Sequence, residues 1–574
     1  MRNVMSDRTR AAFVAGILFV LALLPYVPGL QHAFVYDDHG QILENDFLSE
    51  SASWKRVLTL QTLNDPSVIN GRRPFVLLTY MLNHAVAPEN PAIWRSTNLL
   101  FHAGAVVALY ILLLRVGQGK RTLFALMAAL LFAWHPLLIE AVQAPAFRPD
   151  VVCGFFVLLY MHACLRTGSV RAGWMIGWGA VALLLALFSK ESALAAPLLP
   201  WLMWLVFPAT RPSSRAMLAI GCLSVACIAL WGWLCARPGD GNPPEWQALS
   251  GVWNGRSLLF PDNVRTMPWL AWMYARYFLL PYPLIADHVI APVTSWFSFR
   301  FWGLLMAWGL VAYGLWRGRK NRPWLLLGGG MIAVFFAPVS NLIPLLNPFA
   351  ERYAYIMGAG FAIILSDVLA GYGLGRGNWP RARLAGLASL LVLYGVLAQQ
   401  RLPAWRDDFT LWSKTLQDQP ASARAWTWVG LSLKANAQQV EAMEHFARAR
   451  QLNPRDAAPV VNMAVLYAEA GDYTRAATLF QEAAALRPGY VPILWNLGLA
   501  LQYAGRLEEA ESIYDEVLAL DEKHEQTRKM RMILRIERGA LEAALEDVLW
   551  LEQQQPADPE TRAAGAYVRE RIQP

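Results

Sequence analysis

Two adjacent carboxylates, Asp37 and Asp38, follow the first apolar run of the chain, which is closed by Pro25 and Pro28. This position puts negative charge at or near a membrane surface, where charge is costly unless it serves a purpose. A carboxylate beside a second one can act as a general base that its partner orients, or the pair can bind a divalent metal. The alternative is a solvated turn or a helix cap. We expect Asp38 to be the more exposed of the two and therefore favour it as the base.

Later segments of the chain carry further residues of the types that bind phosphate or support such a base. They are His39, Arg73, His102, His135, Glu140, Arg148, Asp150, Lys190, Glu191, Glu351, Arg352 and Tyr353. A basic residue near a membrane can pair with an acid, extend its charge towards water, or bind a phosphate. Taken singly, each fits an ion pair or such an extended side chain. Taken together, at least three of them converge on the side of the Asp pair, where a lipid phosphate would supply the missing negative charge. The two later histidines fit ordinary buried structural roles.

The composition indicates a protein that crosses a membrane several times. Hydrophobic residues make up 56% of the 574 positions and charged residues 16%, whereas soluble domains carry about 25% charged residues. The 25 tryptophans and 19 tyrosines fit aromatic rings at membrane interfaces. The five cysteines lie in apolar runs and predict neither a disulfide framework nor a zinc site. We attribute the net charge of +8 to membrane topology and not to nucleic-acid binding.

Eleven apolar stretches have the length of a membrane span. They are 11–28, 98–114, 122–138, 151–165, 173–188, 193–208, 216–235, 300–316, 323–340, 353–372 and 384–399, and a twelfth, 268–286, fits a re-entrant or interfacial helix. The connecting loops alternate between basic ones, such as 317–322, and ones that hold the acids named above. Basic loops face the cytoplasm, so we predict a cytoplasmic amino terminus and acidic loops outside. An odd number of spans would put the carboxyl terminus outside as well.

A repeat of 34 residues begins beyond Gln400. Its small and aromatic positions recur as Ala442, Ala476, Ala510 and Ala544, and as Phe446, Phe480 and Tyr514. Small residues let paired helices approach closely, and an aromatic residue fills the groove between them, as in tetratricopeptide repeats. We predict units at 423–456, 457–490 and 491–524 and a degenerate unit at 525–558. Such arrays often hold a peptide or a partner helix in their concave surface, and the alternative is a spacer or dimerisation module.

The predicted fold is therefore all-α. A transmembrane helix bundle at 1–400 is followed by a junction and half repeat at 401–422, tetratricopeptide repeats at 423–558 and a tail at 559–574.

The order of short motifs resembles the tetratricopeptide-bearing transmembrane O-mannosyltransferases and their bacterial relatives in the GT-C superfamily. These motifs are Tyr-Asp-Asp-His at 36–39, His-Pro-x-x-x-Glu-Ala-Val at 135–142, Arg-x-Asp at 148–150, Lys-Glu at 190–191 and Glu-Arg-Tyr at 351–353. The resemblance implies a polyprenyl-phosphate sugar donor used on the outer side of the membrane and an acidic pair that is essential for transfer. The last motif departs from the family pattern in continuing as Ala-Tyr, which leaves the donor sugar open, with a mannose-like hexose favoured.

The hypothesis that follows is an inverting transfer to a hydroxyl of an extracytoplasmic protein that the repeats bring to the site. Asp37 or Asp38 would remove the hydroxyl proton, while Arg148, Lys190 and Arg352 stabilise the departing phosphate. A divalent metal on the Asp pair stays open, because the nearby basic residues could supply the same positive charge. A bacterial inner membrane is the favoured location. The alternatives are a transferase or ligase acting on a glycan or lipid acceptor, and a non-catalytic scaffold whose repeats recruit envelope proteins.

Overall fold

The computed structural model describes residues 7–65, 67–119, 121–165, 169–236, 260–370, 381–554 and 558–572. Within these residues the secondary structure is helical and contains no strand, as the apolar and 34-residue patterns predict. Contacts divide the described chain into two compact units, one extending to Gln419 and the other beginning at Pro420.

The first unit is built from membrane-length helices and shorter helices that connect them. Its α-helices are α1 (Asp7–Leu23), α2 (Ser51–Leu58), α3 (Pro74–Val86), α4 (Pro91–Val116), α5 (Thr122–Trp134), α6 (Ile139–Gln143), α7 (Arg148–Ala163), α8 (Ser169–Leu187), α9 (Leu198–Val206), α10 (Ser214–Cys235), α11 (Asp262–Leu279), α12 (Phe299–Gly318), α13 (Pro323–Phe336), α14 (Tyr355–Ala370), α15 (Arg381–Arg401) and α16 (Asp408–Asp418).

Five helical stretches of the described residues are long and apolar enough to span a membrane. They are Pro91–Val116, Pro145–Ala163, Ser214–Cys235, Glu351–Ala370 and Arg383–Trp405. A sixth forms if α5 and the segment Pro136–Gln143, which meet at an angle of 51°, count as one span. The predicted stretch 193–208 contains only the nine-residue α9, because Pro197 has no backbone N–H to extend a helix through that point. The count of eleven spans stays a prediction.

Close helix contacts at glycine hold the site-bearing segments in place. A Cβ atom on Gly328 of α13 would lie 2.5 Å from the carbonyl oxygen of Gly360 in α14, so the two backbones pack directly against each other. A Cβ on Gly154 of α7 would lie 2.6 Å from the ring of Tyr355. These contacts fix α14, and with it the preceding Glu-Arg-Tyr turn, against α7.

The second unit is a series of paired helices. They are α17 (Ala423–Ala435), α18 (Gln439–Leu452), α19 (Ala457–Glu469), α20 (Tyr473–Leu486), α21 (Val491–Tyr503), α22 (Leu507–Leu520), α23 (Glu525–Glu537), α24 (Leu541–Gln554) and α25 (Pro559–Ile572). A Cβ on Gly430 would meet the ring of Phe446 at 2.6 Å, and one on Gly498 would meet Tyr514 at 2.4 Å. The predicted pairing of a small residue with an aromatic one is therefore present, and the tetratricopeptide fold is confirmed.

Candidate active site

The two carboxylates of the segment between α1 and α2 lie in different surroundings. Tyr36 turns the chain with a left-handed φ of 57°, and Asp38 then points inward and is fully buried, whereas Asp37 is half-buried. The Asp38 carboxylate accepts hydrogen bonds from the backbone N–H of Val35 at 3.1 Å and of Ala146 at 2.7 Å. The expectation that Asp38 is the more exposed acid is therefore wrong, because these buried N–H groups need an acceptor and Asp38 supplies it.

Burial raises the pKa of Asp38 to about 6, since a buried carboxylate loses hydration that its charged form needs. The Arg95 charge and the two backbone N–H groups oppose this rise, and the neighbouring charge of Asp37 adds to it. Asp38 thus serves as an anchor between the segment that joins α1 to α2 and the segment that joins α5 to α7. Asp37 is the acid of the pair with access to solvent.

A buried network joins α4 to the segment between α5 and α7. Asn98 of α4 donates to the carbonyl oxygen of Ala144 at 3.0 Å, and its own oxygen accepts from Nε of Arg148 at 2.7 Å. The other two guanidinium nitrogens of Arg148 donate to the Thr79 hydroxyl at 3.0 Å and to the Trp94 carbonyl at 2.9 Å. Arg148 is fully buried and holds the segment that presents the Ala146 N–H. All three guanidinium nitrogens of Arg148, which is one of the predicted phosphate ligands, therefore donate to other groups of the protein.

Arg95 of α4 secures the chain just before the Asp pair. Its Nε donates to the Gln143 carbonyl at 3.0 Å and one of its terminal nitrogens to the Ala33 carbonyl at 2.6 Å. The other terminal nitrogen donates to the His32 carbonyl. Because a guanidinium presents its donors in a rigid plane, these bonds hold the segment before the Asp pair and the segment between α5 and α7 at a set distance.

Three ion pairs connect the acid-bearing segments that the charge pattern groups together. They are Arg73 with Glu191, Lys190 with Asp150, and Arg352 with Glu140. Arg73 binds both oxygens of its partner, at 3.2 and 3.1 Å. Arg352 binds through its side chain at 2.6 Å and through its backbone N–H at 3.0 Å. Each pair joins two different segments of the chain, so the cations predicted to meet a phosphate are already held in position by carboxylates.

The ring of Tyr353 brings two of these cations to one place. Lys190 Nζ lies 4.9 Å from the ring centre, and Arg352 Cζ lies 5.2 Å from it. Arg352 also packs over the ring of Phe147 at 4.1 Å and interacts electrostatically with Asp37. Lys190 and Arg352 therefore meet at Tyr353, and the charge of the half-buried Asp37 acts on Arg352. We call these four residues the Asp37 cluster (Asp37, Lys190, Arg352 and Tyr353).

A residue that the sequence analysis missed holds the turn from the far side. Asp408 at the start of α16 accepts from the Tyr36 N–H at 2.8 Å and contacts His39 Nε2 at 2.5 Å. The Trp412 ring of the same helix lies 5.0 Å from the Tyr36 ring. The hydrogen bond of Asp408 raises the pKa of His39. These contacts bridge 372 and 369 positions of sequence, so no local spacing could have indicated them.

The remaining predicted residues have structural partners away from the Asp37 cluster. His102 donates to the Ala133 carbonyl at 3.2 Å and contacts the Tyr355 hydroxyl at 2.9 Å. His135 donates to the Phe278 carbonyl at 3.1 Å and accepts from the Leu137 N–H at 3.2 Å. Glu351 is buried and accepts from the Ile285 N–H at 2.6 Å and from His288 at 3.1 Å. No group of three or more His, Cys, Asp or Glu side chains with metal-binding geometry occurs within the described ranges.

Comparison with known proteins gives related chains for both units. A tetratricopeptide repeat family model matches residues 435–497 and 467–531. The chain is 22% identical to the protein O-mannosyl-transferase F38B6.6 of Caenorhabditis elegans, over 76% of this chain and 62% of that one. It is 21% identical to the protein O-mannosyl-transferase TMTC3 of Homo sapiens, over 85% of this chain and 58% of that one. A shorter match to human TMTC2 is 34% identical and covers 28% of this chain and 20% of that one.

Solved structures also resemble part of the chain. One is YrrB, described as a TPR protein with an unusual peptide-binding site, which is 16% identical with a TM-score of 0.27 over 28% of this chain and 83% of its own. The chain spans less than two thirds of the length of the relatives from C. elegans and human named above. It is a homologue of proteins named protein O-mannosyl-transferases, and its carboxyl-terminal unit is built of tetratricopeptide repeats.

Proposed function

We propose that this chain is a membrane glycosyltransferase that moves a hexose, mannose in the first instance, from a polyprenyl-phosphate donor to a hydroxyl of a protein acceptor. The observation that supports this most directly is the Asp37 cluster, in which the half-buried Asp37 interacts electrostatically with Arg352, and Arg352 and Lys190 share one tyrosine ring. The names of the homologues support transfer of mannose to protein. The donor, the GT-C class and the mechanism are our inference.

In the proposed reaction the Asp37 carboxylate removes the proton from the acceptor hydroxyl. The hydroxyl oxygen forms a bond to the anomeric carbon from the side opposite the phosphate, and the bond from that carbon to the phosphate oxygen breaks with its electron pair going to the phosphate. The product has the inverted configuration. Lys190 and Arg352 stabilise the growing charge on the phosphate, and losing one such contact typically costs ~3 kcal/mol. No general acid is needed, because a phosphate is already a good leaving group.

The other residues of the site then have positioning roles. Asp38 anchors the acidic turn to the Ala146 N–H, and Arg148 holds the segment that presents this N–H. Glu140, Asp150 and Glu191 orient the cations. A divalent metal is left open in the proposal, because Lys190 and Arg352 supply positive charge at the same place.

The proposed orientation has the Asp37 cluster on the extracytoplasmic side of a bacterial inner membrane. Two basic loops that are predicted to face the opposite side meet at one acid, because Arg322 binds the Asp367 carboxylate at 3.0 Å and Arg121 lies 3.5 Å from it. This supports a common side for the two loops. Cysteines introduced at Gly40 and Lys320 test the orientation by labelling with a reagent that does not cross membranes. Labelling of position 40 alone is expected in intact cells, and equal labelling of both would end the proposal.

The decisive test of the activity uses the purified full chain in lipid nanodiscs, a polyprenyl-phosphate mannose donor and a panel of protein, glycan and lipid acceptors. Mass gain on a protein acceptor, with inverted configuration at the anomeric carbon by NMR, is the expected product. Asp37→Asn should lower the rate by about 10²–10⁴-fold, as loss of a general base does. The matched control is Asp46→Asn, an exposed acid of the same outer segment, which should keep the wild-type rate. Transfer to a glycan or lipid alone would favour a different acceptor, and no transfer by the wild type would favour a scaffold.

A further inference from the structure

A pocket of about 370 Å³ opens where α15 ends, beside α16 and the segment 281–284. Its wall combines apolar residues with two basic side chains, and includes Pro281, Leu284, Leu397, Arg401, Thr410 and Lys414. None of the lining residues belongs to the Asp37 cluster or to the ion pairs around it. The pocket is therefore a separate feature of the first unit.

Arg401 is a buried cation whose hydrogen-bonding capacity is largely unused. Its side chain is 7% exposed, and its contact with Glu351 is long, at 3.5 Å. Its Nε is buried without an acceptor among the described residues. A guanidinium carries five N–H donors and stays charged at any pH that proteins meet. Since a buried charge is costly unless hydrogen-bonded, this arginine calls for an anionic acceptor in the pocket.

A second cation lines the same pocket. Lys414 lies 3.3 Å from Asp418, which also lines it. Arg401 meets only the Oε2 atom of Glu351, at 3.5 Å, because the other oxygen, Oε1, accepts from the Ile285 N–H at 2.6 Å and from His288 at 3.1 Å. The Nε donor of Arg401 is therefore the one left for a ligand. We propose that this pocket, which we call the Arg401 pocket, binds the phosphate of a membrane lipid head group at a place distinct from the Asp37 cluster.

The surroundings of the Arg401 pocket favour a lipid as the source of that phosphate. The apolar stretch Arg383–Trp405 is long enough to span a membrane, and 17% of its most apolar 18-residue part is buried within the protein. Val392, Leu393 and Val396 lie exposed on α15 just before Leu397 at the pocket wall. An acyl chain can pack along this face while the phosphate of the lipid contacts Arg401 and Lys414. This is possible because the exposed apolar residues and Arg401 lie on the same helix, α15.

Occupancy of the pocket has a consequence for the acidic turn, which rests on the proposed function. Lys414 and Thr410 contact the pocket from α16, and Asp408 and Trp412 of the same helix hold Tyr36 and His39. A phosphate bound at the pocket steadies α16 and thereby the turn that carries Asp37. Bound lipid should therefore raise the rate of transfer without touching the reacting atoms.

The test is direct measurement of lipid bound to the purified full chain. Wild type, Arg401→Gln, Lys414→Gln and the control Arg406→Gln are delipidated in detergent and offered phosphatidylglycerol, phosphatidylcholine or inorganic phosphate. Arg406 is a fitting control because its side chain is 66% exposed and lies on the same segment of chain. Retained lipid is counted by native mass spectrometry, and thermal unfolding reports stabilisation by each additive.

Arg401→Gln should need about tenfold or more phosphatidylglycerol to reach the lipid occupancy of wild type and of Arg406→Gln. A tenfold or larger loss of affinity is the usual cost of losing a hydrogen bond to a charged group. Lys414→Gln should show a smaller loss, and because its side chain is 44% exposed it tests the site even if Arg401→Gln folds poorly. Equal retention by all four proteins, or retention of phosphatidylcholine as strong as that of phosphatidylglycerol, would overturn the proposal. Thermal stabilisation by inorganic phosphate without retention of lipid would overturn the proposal that the ligand is a lipid and would assign the pocket to free phosphate. A variant that loses lipid binding but transfers sugar at the wild-type rate would show that the bound lipid does not act on the turn that carries Asp37. Absence of transfer in all four proteins, wild type included, would count against the proposed function alone.

Discussion

The replacement Asp408→Ala tests whether the acidic turn must be held from α16 for transfer to occur. The change removes the acceptor of the Tyr36 N–H, at 2.8 Å, and the partner of His39, at 2.5 Å. A backbone N–H left without its partner costs roughly 1–3 kcal/mol, and a bond to a charged group contributes about 1.5–3 kcal/mol. Water can reach part of this region, so we take the lower ends of these two ranges, which together come to about 2.5 kcal/mol. Transfer should fall about 70-fold if that free energy holds Asp37 in its reactive position.

The pattern of kinetic constants separates positioning from binding. We expect kcat to carry the loss while the KM for the lipid donor changes little, because the side chain of Asp408 binds Tyr36 and His39 and not the two cations assigned to the donor phosphate. Asp408→Asn should fall between wild type and Asp408→Ala, since the amide oxygen can still accept from Tyr36. The matched control is Asp46→Ala, because Asp46 is an exposed acid in the same segment between α1 and α2 as the turn.

The pH profile provides a second readout. The pKa of His39 is raised by its hydrogen bond to Asp408, so the stabilisation from this pair is complete below the ordinary histidine pKa and is lost as pH rises through the raised one. The difference between wild type and Asp408→Ala should therefore be larger at pH 6 than at pH 9. Wild-type kcat in Asp408→Ala, or a loss that only follows the fall in thermal stability, would refute a positioning role for Asp408.

Three further results are expected. Because the pKa of Asp38 is raised to about 6, the folded chain holds the proton of this carboxyl more tightly than the unfolded chain does. As pH rises from about 4 to 6, the wild type should therefore lose up to roughly 3 kcal/mol of unfolding free energy relative to Asp38→Asn. Parallel curves of unfolding free energy against pH for the two proteins would contradict this. Lys190→Ala should raise the KM for the donor and lower the stability of the fold, because it leaves Asp150 unpaired. The double variant with Asp150→Ala should recover the stability but not the use of the donor. A kinetic defect confined to the acceptor would reassign Lys190 to the other substrate. Deletion of residues 423–574 should abolish transfer to a whole protein acceptor but leave transfer to a short peptide or slow hydrolysis of the donor; loss of both would indicate a structural role for the repeats, and loss of neither a spacer.

Local patterns were sufficient for the helices and for the repeat. A membrane span or a tetratricopeptide helix pair is specified by residues a few positions apart, so hydropathy and a 34-residue period predict them from the chain alone. The pairing of Gly430 with Phe446 and of Gly498 with Tyr514 follows directly from that period. The alternation of basic and acidic loops also grouped Arg73, Asp150, Lys190 and Arg352 on one side, although it could not say which acid meets which base.

The partners and the exposures were decided by tertiary structure. Asp37 and Asp38 are neighbours with the same side chain, and they differ because the turn at Tyr36 sends Asp38 towards the Ala146 N–H, which belongs to a segment 108 positions away. Arg148 has the chemistry of a phosphate ligand, yet its nitrogens are taken by Asn98, Thr79 and Trp94. Asp408 and Arg401 carry no local motif at all. Charge and hydrogen-bonding capacity can be read from residue types, but whether they are used within the fold or left for a ligand depends on contacts between distant segments, and those form only when the helices pack.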